Sequence, residues 1–155
     1  MADPVSPTVY IDADACPVKE DTFRVAKRYG LRVLVVCNRA IVVPRAPWIE
    51  LVVAGSGFDA VDEWIVGHVA KNDIVVTSDI LLAARLIERG ARPLDPRGRL
   101  FTEDNIGEVK ALRHLADELR QRGALDLGPK KMGTKHRSTF LSSLDELINA
   151  VLRGK

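Results

Sequence analysis

The stretch "DIVVTSDILLAARLIERG", residues 73–90, passes directly from a strand pattern to a helix pattern. Its first half is rich in β-branched residues, as in a strand that is covered on both faces. Its second half spaces apolar side chains as a helix does, and Gly90 is placed to end that helix. Asp79 stands between the halves, where helices often carry a capping residue. The stretch therefore predicts one strand–helix unit.

The same alternation continues along the chain in both directions. Further strands are predicted over 8–13, 31–37, 48–54 and 91–95, and further helices over 16–30, 59–70, 102–122 and about 139–152. Thr102 is placed to cap the helix that follows it. Strands that alternate with helices predict βαβ units and a mainly parallel sheet with right-handed crossovers. We therefore predict an α/β fold.

Length and composition indicate an ordinary globular protein. The chain has 155 residues, of which 46% are hydrophobic and 28% charged, so we expect a single domain over 1–155. Its apolar runs are too short for a membrane span, and its start lacks a secretory pattern. Cys16 and Cys37 form no disulfide framework. These features predict a cytoplasmic protein without membrane contact, and the net charge of +2 indicates no particular partner.

Aspartates follow two of the predicted strands and begin one of the helices. Asp12 and Asp14 come after the first strand, Asp79 follows "IVVTS", and Asp59 and Asp62 stand three apart at a helix start. Each could simply cap or polarise its helix. However, parallel sheets form their sites beyond the carboxyl ends of the strands, near a switch in strand order. We therefore predict that these five carboxylates share one edge of the sheet.

The negative charge of such a cluster needs compensation. Two carboxylates about 6 Å apart repel each other by about 3 kcal/mol at an effective dielectric near 20. The cluster must therefore be protonated, spread apart or neutralised by a cation. Oxygen ligands without nearby cysteine or histidine ligands favour Mg²⁺ or Mn²⁺. A carboxylate-bound ion with open positions suits the hydrolysis of a phosphodiester.

Two sets of polar residues are candidates for contact with a nucleic acid. Near the same strand ends, we assign possible phosphate contacts to Lys19, Asn38, Arg39 and Ser78. A Gly-, Pro- and Lys-rich stretch over 123–138 is predicted to be an exposed loop. Its basic residues, which could bind nucleic acid by charge, are Lys130, Lys131, Lys135, His136 and Arg137. For both sets a solvated surface remains the alternative.

Five motifs together resemble the YaiI/YqxD family of bacterial proteins, which is similar in turn to PIN-like and NYN nuclease domains. They are "VYIDADACPVK", "GSGFDAVDEWIV", "DIVVTSDILLAARLIERGA", "PLDPRG" and "FTEDNI". The resemblance covers about residues 8–122 closely and continues less closely to the end. There, His136 stands where the family tends to carry an aspartate before arginine.

The resemblance implies a three-layer α/β/α sandwich around the sheet, followed by C-terminal helices, and an acidic metal site of the nuclease type. It matches Asp12 and Asp79 to the two strand-end aspartates of PIN-like domains. Asp59 and Asp62 fall in the segment that carries a further acid, and Asp14 belongs to the family's own motif. It thus implies a Mg²⁺- or Mn²⁺-dependent nuclease, with RNA favoured over DNA as the substrate.

Two other functions remain open at this point. In a haloacid-dehalogenase-like phosphohydrolase, Asp12 would be the nucleophile, Asp14 the acid/base and Thr77 the phosphate-binding hydroxyl. That pattern wants Thr or Val at position 16, where Cys16 stands. The chain could also be a non-catalytic nucleotide- or RNA-binding module that keeps the acidic pocket.

Overall fold

The computed structural model describes residues 6–13, 17–57, 59–122 and 134–154. Strands and helices alternate along most of this length, as the sequence predicts. The elements, in chain order, are β1 (Val9–Asp12), α1 (Lys19–Tyr29), β2 (Val33–Cys37), β3 (Ile49–Val53), α2 (Ala60–His68), β4 (Ile74–Val76), α3 (Ile80–Glu88), β5 (Arg92–Leu94), α4 (Glu103–Gln121) and α5 (Thr134–Leu152).

The five strands form one parallel sheet in the order β3-β2-β1-β4-β5. The chain adds strands outward from β1 to β3 and then returns to add β4 on the other side of β1. The switch in strand order therefore lies between β1 and β4, where Ile11 pairs with Val76. The carboxyl ends of these two strands lie side by side, which is where α/β proteins place their sites.

Helices cover both faces of the sheet, because side chains along each strand point alternately to one face and the other. On one face, Val9 and Ile11 belong to a hydrophobic cluster that also holds buried residues of α1 and α5. On the other face, Tyr10 packs with buried residues of α2 and α3. α4 packs against α3 through Val109, and Phe101, which precedes α4, joins the same cluster. The fold is thus a three-layer α/β/α sandwich.

The predicted helix ends are confirmed at three positions. Gly30 ends α1 in the left-handed conformation with a φ of 68°. Thr102 is the N-cap of α4 and forms a capping box. Its hydroxyl accepts a hydrogen bond from the backbone N–H of Asn105, and the side-chain oxygen of Asn105 accepts one from the backbone N–H of Thr102. Asp79 caps α3. Local capping chemistry therefore sets these boundaries.

The last helix begins earlier than predicted. α5 starts at Thr134, so the prediction of a loop through residue 138 is wrong for 134–138, and Lys135, His136 and Arg137 are helical. Lys130 and Lys131 lie outside the described residues. Further along α5, Phe140, Leu144 and Ile148 are fully buried in the cluster that contains α1. α5 is therefore part of the main hydrophobic core. Among the helices described, none is long and apolar enough to cross a membrane.

Two glycines should respond in opposite ways to alanine. Gly98 has a φ of 97°, and an added Cβ would lie 2.7 Å from Thr139 Cγ2 and 2.9 Å from the Thr139 carbonyl carbon. We expect Gly98→Ala to reduce the free energy of unfolding by about 2 kcal/mol, because the strain and the contact add. Gly107 lies in α4 with nothing near its Cβ position.

Gly107→Ala should instead stabilise the protein by about 0.5–1 kcal/mol, since alanine favours the helix. Thermal unfolding of both variants beside the parent measures the two effects. Equal melting temperatures for the two variants would show that the turn at Gly98 does not pack against α5 as described.

Candidate active site

Asp12 lies at the carboxyl end of β1 and is buried, with 5% of its surface exposed. The parallel pairing of β1 with β4 places it beside Thr77, the residue that follows β4. The Thr77 hydroxyl donates a hydrogen bond of 2.9 Å to Oδ2 of Asp12. A carboxylate at this depth requires polar partners, and the neighbouring strand supplies one.

A continuous set of hydrogen bonds connects Asp12 to the start of α3. The backbone N–H of Asp79 donates to the Thr77 hydroxyl at 3.0 Å, and Oδ1 of Asp79 accepts from the Leu82 amide at 3.1 Å. Thr77 is completely buried. Capping therefore accounts for the hydrogen bond at one oxygen of Asp79, and the second oxygen of the carboxylate can make other contacts. The Thr77 hydroxyl thus fixes the position of the Asp12 carboxylate relative to the backbone of Asp79.

Asp59 and Asp62 come from the beginning of α2, on the same side of the sheet as α3. Asp59 is the N-cap residue with a φ of 66°, and its side chain makes no capping hydrogen bond. Asp62 lies one turn further and is half-buried. The simple capping role that describes Asp79 therefore does not describe Asp59.

The pKa of Asp62 shows that these acids interact. Burial and, in smaller part, the charges of Asp79, Asp12 and Asp59 together raise it from 3.8 to about 6, while Arg85 opposes them. Arg85 is itself engaged with Glu63, through two bonds of 2.8 and 3.2 Å. The structure thus brings four of the five aspartates into one electrostatic group, which we call the acidic group: Asp12, Asp59, Asp62 and Asp79.

The fit of the acidic group to a metal ion is incomplete in the part of the chain that the structure describes. Within that part, no three Asp, Glu, His or Cys side chains lie close enough together to hold one ion. Asp14, the fifth aspartate predicted at this edge, falls outside the described residues. The described acids therefore supply negative charge suited to a hard cation, without a complete set of ligands for it.

A cleft of about 1410 Å³ lies next to the acidic group. It is lined by the start of α1, the start of α3, the turn after β5, α4 and the start of α5, and we call it the basic cleft. Lys19 and Ser78, both predicted to contact phosphate, line it. Asn38 and Arg39 are exposed after β2 and do not line it. The predicted substrate residues therefore separate into two locations.

Two site residues received less weight from the sequence than the structure gives them. The sequence suggests only a phosphate-binding hydroxyl at Thr77, whereas in the structure this hydroxyl donates to Asp12 and accepts from the Asp79 amide. Asp95 directly follows β5 and lines the basic cleft, and burial raises its pKa while Arg97, Arg99 and His136 oppose this. The signal for Asp95 is the same as for Asp12, an acid immediately after a strand.

The raised pKa of Asp62 predicts a pH-dependent gain in stability for Asp62→Asn. The folded protein binds this proton more tightly than the unfolded chain, so ionisation of Asp62 reduces stability as the pH rises from about 4 to about 6. After allowance for solvent screening, the loss is on the order of 1 kcal/mol. Without added metal, Asp62→Asn should therefore melt about 2–4 °C above the parent at pH 8 and equally at pH 4.

Asp104→Asn is the matched control, because Asp104 is exposed in the first turn of α4, away from the acidic group. It should melt at or slightly below the parent temperature at both pH values, since it loses only a helix-dipole interaction. If Asp62→Asn melts with the parent at pH 8, the four acids do not interact as described.

Comparison with known proteins places the chain in a family. The model of the uncharacterised YaiI/YqxD family matches residues 10–150. A UPF0178 protein of Gluconacetobacter diazotrophicus is 50% identical over 147 residues, 95% of this chain and 94% of that protein. A UPF0178 protein of Rhodopseudomonas palustris is 46% identical over 100% of this chain and 94% of that protein. A UPF0178 protein of a Bradyrhizobium species is 48% identical over 96% of this chain and 90% of that protein. No solved structure matches the chain. The chain belongs to the YaiI/YqxD family.

Proposed function

We propose that the protein is a divalent-metal-dependent nuclease that hydrolyses phosphodiester bonds in RNA. The observation that carries this proposal is the acidic group at the switch point of the sheet, where burial and then the charges of Asp79, Asp12 and Asp59 raise the pKa of Asp62 to about 6. A Mg²⁺ or Mn²⁺ ion at this edge would relieve that repulsion. The resemblance to PIN-like and NYN nuclease domains supports the same reaction.

The chain's own residues have distinct roles in this proposal. Asp12 and Asp79 would hold the ion, and Asp14 together with Asp59 or Asp62 would complete or orient its surroundings. Thr77 keeps Asp12 in place through its 2.9 Å hydrogen bond. When bound, the ion would supply a water of lowered pKa and stabilise charge on the scissile phosphate.

The haloacid-dehalogenase-like alternative requires the Thr77 hydroxyl to bind phosphate. Thr77 is completely buried, and its hydroxyl already donates to Asp12 and accepts from the Asp79 amide. This observation disfavours a phosphomonoesterase. A non-catalytic RNA-binding module is the second candidate, favoured by the lack of a three-ligand group among the described residues.

The three functions differ in their products. Purified protein is incubated with end-labelled single-stranded RNA, the matching DNA and p-nitrophenyl phosphate, with Mg²⁺, Mn²⁺ or EDTA. We expect RNA to be shortened in either metal and left intact in EDTA, with slower loss of DNA. Turnover of the monoester without RNA cleavage would replace the nuclease with the phosphohydrolase. Retention of intact RNA in both metals would replace it with the binding module.

A further inference from the structure

We propose that the basic cleft binds the backbone of a single-stranded nucleic acid, and that the strand leaves the cleft at Ser78 and passes the acidic group. The second half of this statement rests on the proposed function, whereas the first half concerns binding alone. The two halves therefore have separate tests.

The size and shape of the cleft favour a polymer over a small molecule. A typical small-molecule pocket encloses roughly 300–1,000 Å³, and the basic cleft encloses about 1410 Å³. Five separate parts of the chain line it. Many of the side chains in this lining, including Arg97, Arg99 and Arg113, are exposed to solvent. A large, solvent-accessible cleft of this kind suits an extended strand.

The charge of the cleft is strongly positive compared with that of the whole chain. The Lys and Arg residues that line it are Lys19, Arg97, Arg99, Arg113, Arg120 and Arg137. Only Glu20, Asp21 and Asp95 oppose them, so the cleft carries an excess of three positive charges. The whole chain carries +2. The rest of the molecule is therefore almost neutral, so the positive field of the protein is concentrated in the basic cleft.

The arginines of the cleft differ in how firmly protein partners hold them. Arg137 makes two hydrogen bonds of 3.0 and 3.1 Å to the buried carboxylate of Asp21. Arg113 and Arg120 share Asp117, at 3.8 and 3.1 Å. Among the ion pairs of the described residues, none includes Arg97 or Arg99. Both lower the pKa of Asp95 through their charges, but within the described residues neither has an ion pair that a phosphate would first have to break.

The turn that carries Arg97 and Arg99 is well ordered by its own contacts. The Arg97 and Gly98 amides donate to the side chain and carbonyl of Asp95 at 2.7 and 2.8 Å, and the Asp95 amide donates to the Arg99 carbonyl. Gly98 lies directly against Thr139 of α5. Because the turn is ordered before binding, less conformational entropy is lost when a phosphate binds there.

The cleft also has apolar side chains in its lining, and these favour a single strand. Ile80 and Leu112 line it, and Leu112 is 54% exposed. Phe101 is only 3% exposed, so its ring offers no stacking surface. Unstacked bases could pack on these apolar side chains while the basic side chains bind phosphates, whereas a duplex keeps its bases stacked inside. Binding should therefore depend on charge and not on base sequence.

Ser78 connects the cleft with the acidic group. It lies between Thr77, which holds Asp12, and Asp79, and it also lines the cleft. A strand that leaves the cleft at this end reaches the carboxyl edge of β1 and β4, where the proposed hydrolysis takes place. The proposal thus places the bound part of the substrate on one side of the scissile phosphate only.

Fluorescence anisotropy in EDTA tests binding without cleavage. The probe is a fluorescein-labelled single-stranded RNA of about 12 nucleotides, titrated at several salt concentrations. We expect Arg97→Ala/Arg99→Ala to raise Kd about tenfold and to lower the salt slope by about 1.4, the value for two lost phosphate contacts. The control, Lys27→Ala/Arg89→Ala, removes the same charge at the opposite ends of α1 and α3 and should change Kd less than twofold.

The outcomes separate the cleft from the nuclease. Unchanged Kd and salt slope in the Arg97/Arg99 variant would overturn the proposal that the basic cleft binds nucleic acid. Equal affinity for a blunt RNA duplex would overturn the single-strand assignment. Displacement of RNA by an equally charged poly-Glu peptide at the same concentration would reduce the cleft to a general anion site. If Asp79→Asn and the parent both bind RNA in EDTA but neither cleaves it, the proposed nuclease activity is wrong, whereas the proposed binding of RNA in the basic cleft still holds.

Discussion

Asp12→Asn is expected to reduce metal-dependent RNA cleavage about a hundredfold or more, with a melting temperature close to that of the parent. The substitution removes the charge that the proposed ion needs. It keeps an oxygen that can accept the 2.9 Å hydrogen bond from the Thr77 hydroxyl. Initial rates of RNA cleavage in Mn²⁺ and a thermal melt in EDTA measure the two effects. Parent-like cleavage by Asp12→Asn would remove Asp12 from the proposed mechanism.

Substitutions of Thr77 distinguish positioning from ligation. Thr77→Val leaves Asp12 and the Asp79 amide without their buried partner, which should cost about 1–3 kcal/mol of stability. We expect it also to slow cleavage about tenfold, because the orientation of Asp12 is lost. Thr77→Ser restores the hydroxyl and should recover most of the rate. A rate in Thr77→Ser as low as that of Thr77→Val would contradict the positioning role.

Arg137→Ala is expected to reduce the free energy of unfolding by about 3 kcal/mol, since it leaves the carboxylate of Asp21 buried without its charge partner. The side chain of Arg137 is 55% exposed, but that of Asp21 is only 2% exposed, and both oxygens of Asp21 accept hydrogen bonds from Arg137. The pair joins α1 to α5, whose packing completes the main core. For a chain of this size we expect the melting temperature to fall by about 6–12 °C.

A double variant and a surface pair provide the controls. Arg137→Ala/Asp21→Asn should be more stable than Arg137→Ala alone, because no uncompensated charge remains buried. Arg28 and Asp145 also join α1 to α5, at 3.4 Å, but their side chains are 60% and 34% exposed. Arg28→Ala should therefore cost less than about 1 kcal/mol. Equal losses in Arg28→Ala and Arg137→Ala would show that burial of Asp21 has no particular consequence.

The strands and helices were predictable where burial leaves a periodic pattern. All five residues of β2 are buried, and the sequence shows the continuous aliphatic run that this requires. The start of α5 was not predictable in this way. Lys135 and His136 are exposed, so they show no apolar periodicity. The bond between Arg137 and Asp21, which are 116 residues apart, holds this first part of α5 against α1.

The placement of acids at strand ends could be read from the sequence, because a residue that follows a buried strand must lie at the sheet edge. Sequence patterns report which faces are buried, but not which strands are neighbours. The order β3-β2-β1-β4-β5 places Asp12 beside Thr77, and only the assembled sheet shows this. The basic cleft likewise exists only after α4 and α5 have packed, because its residues come from five separate parts of the chain.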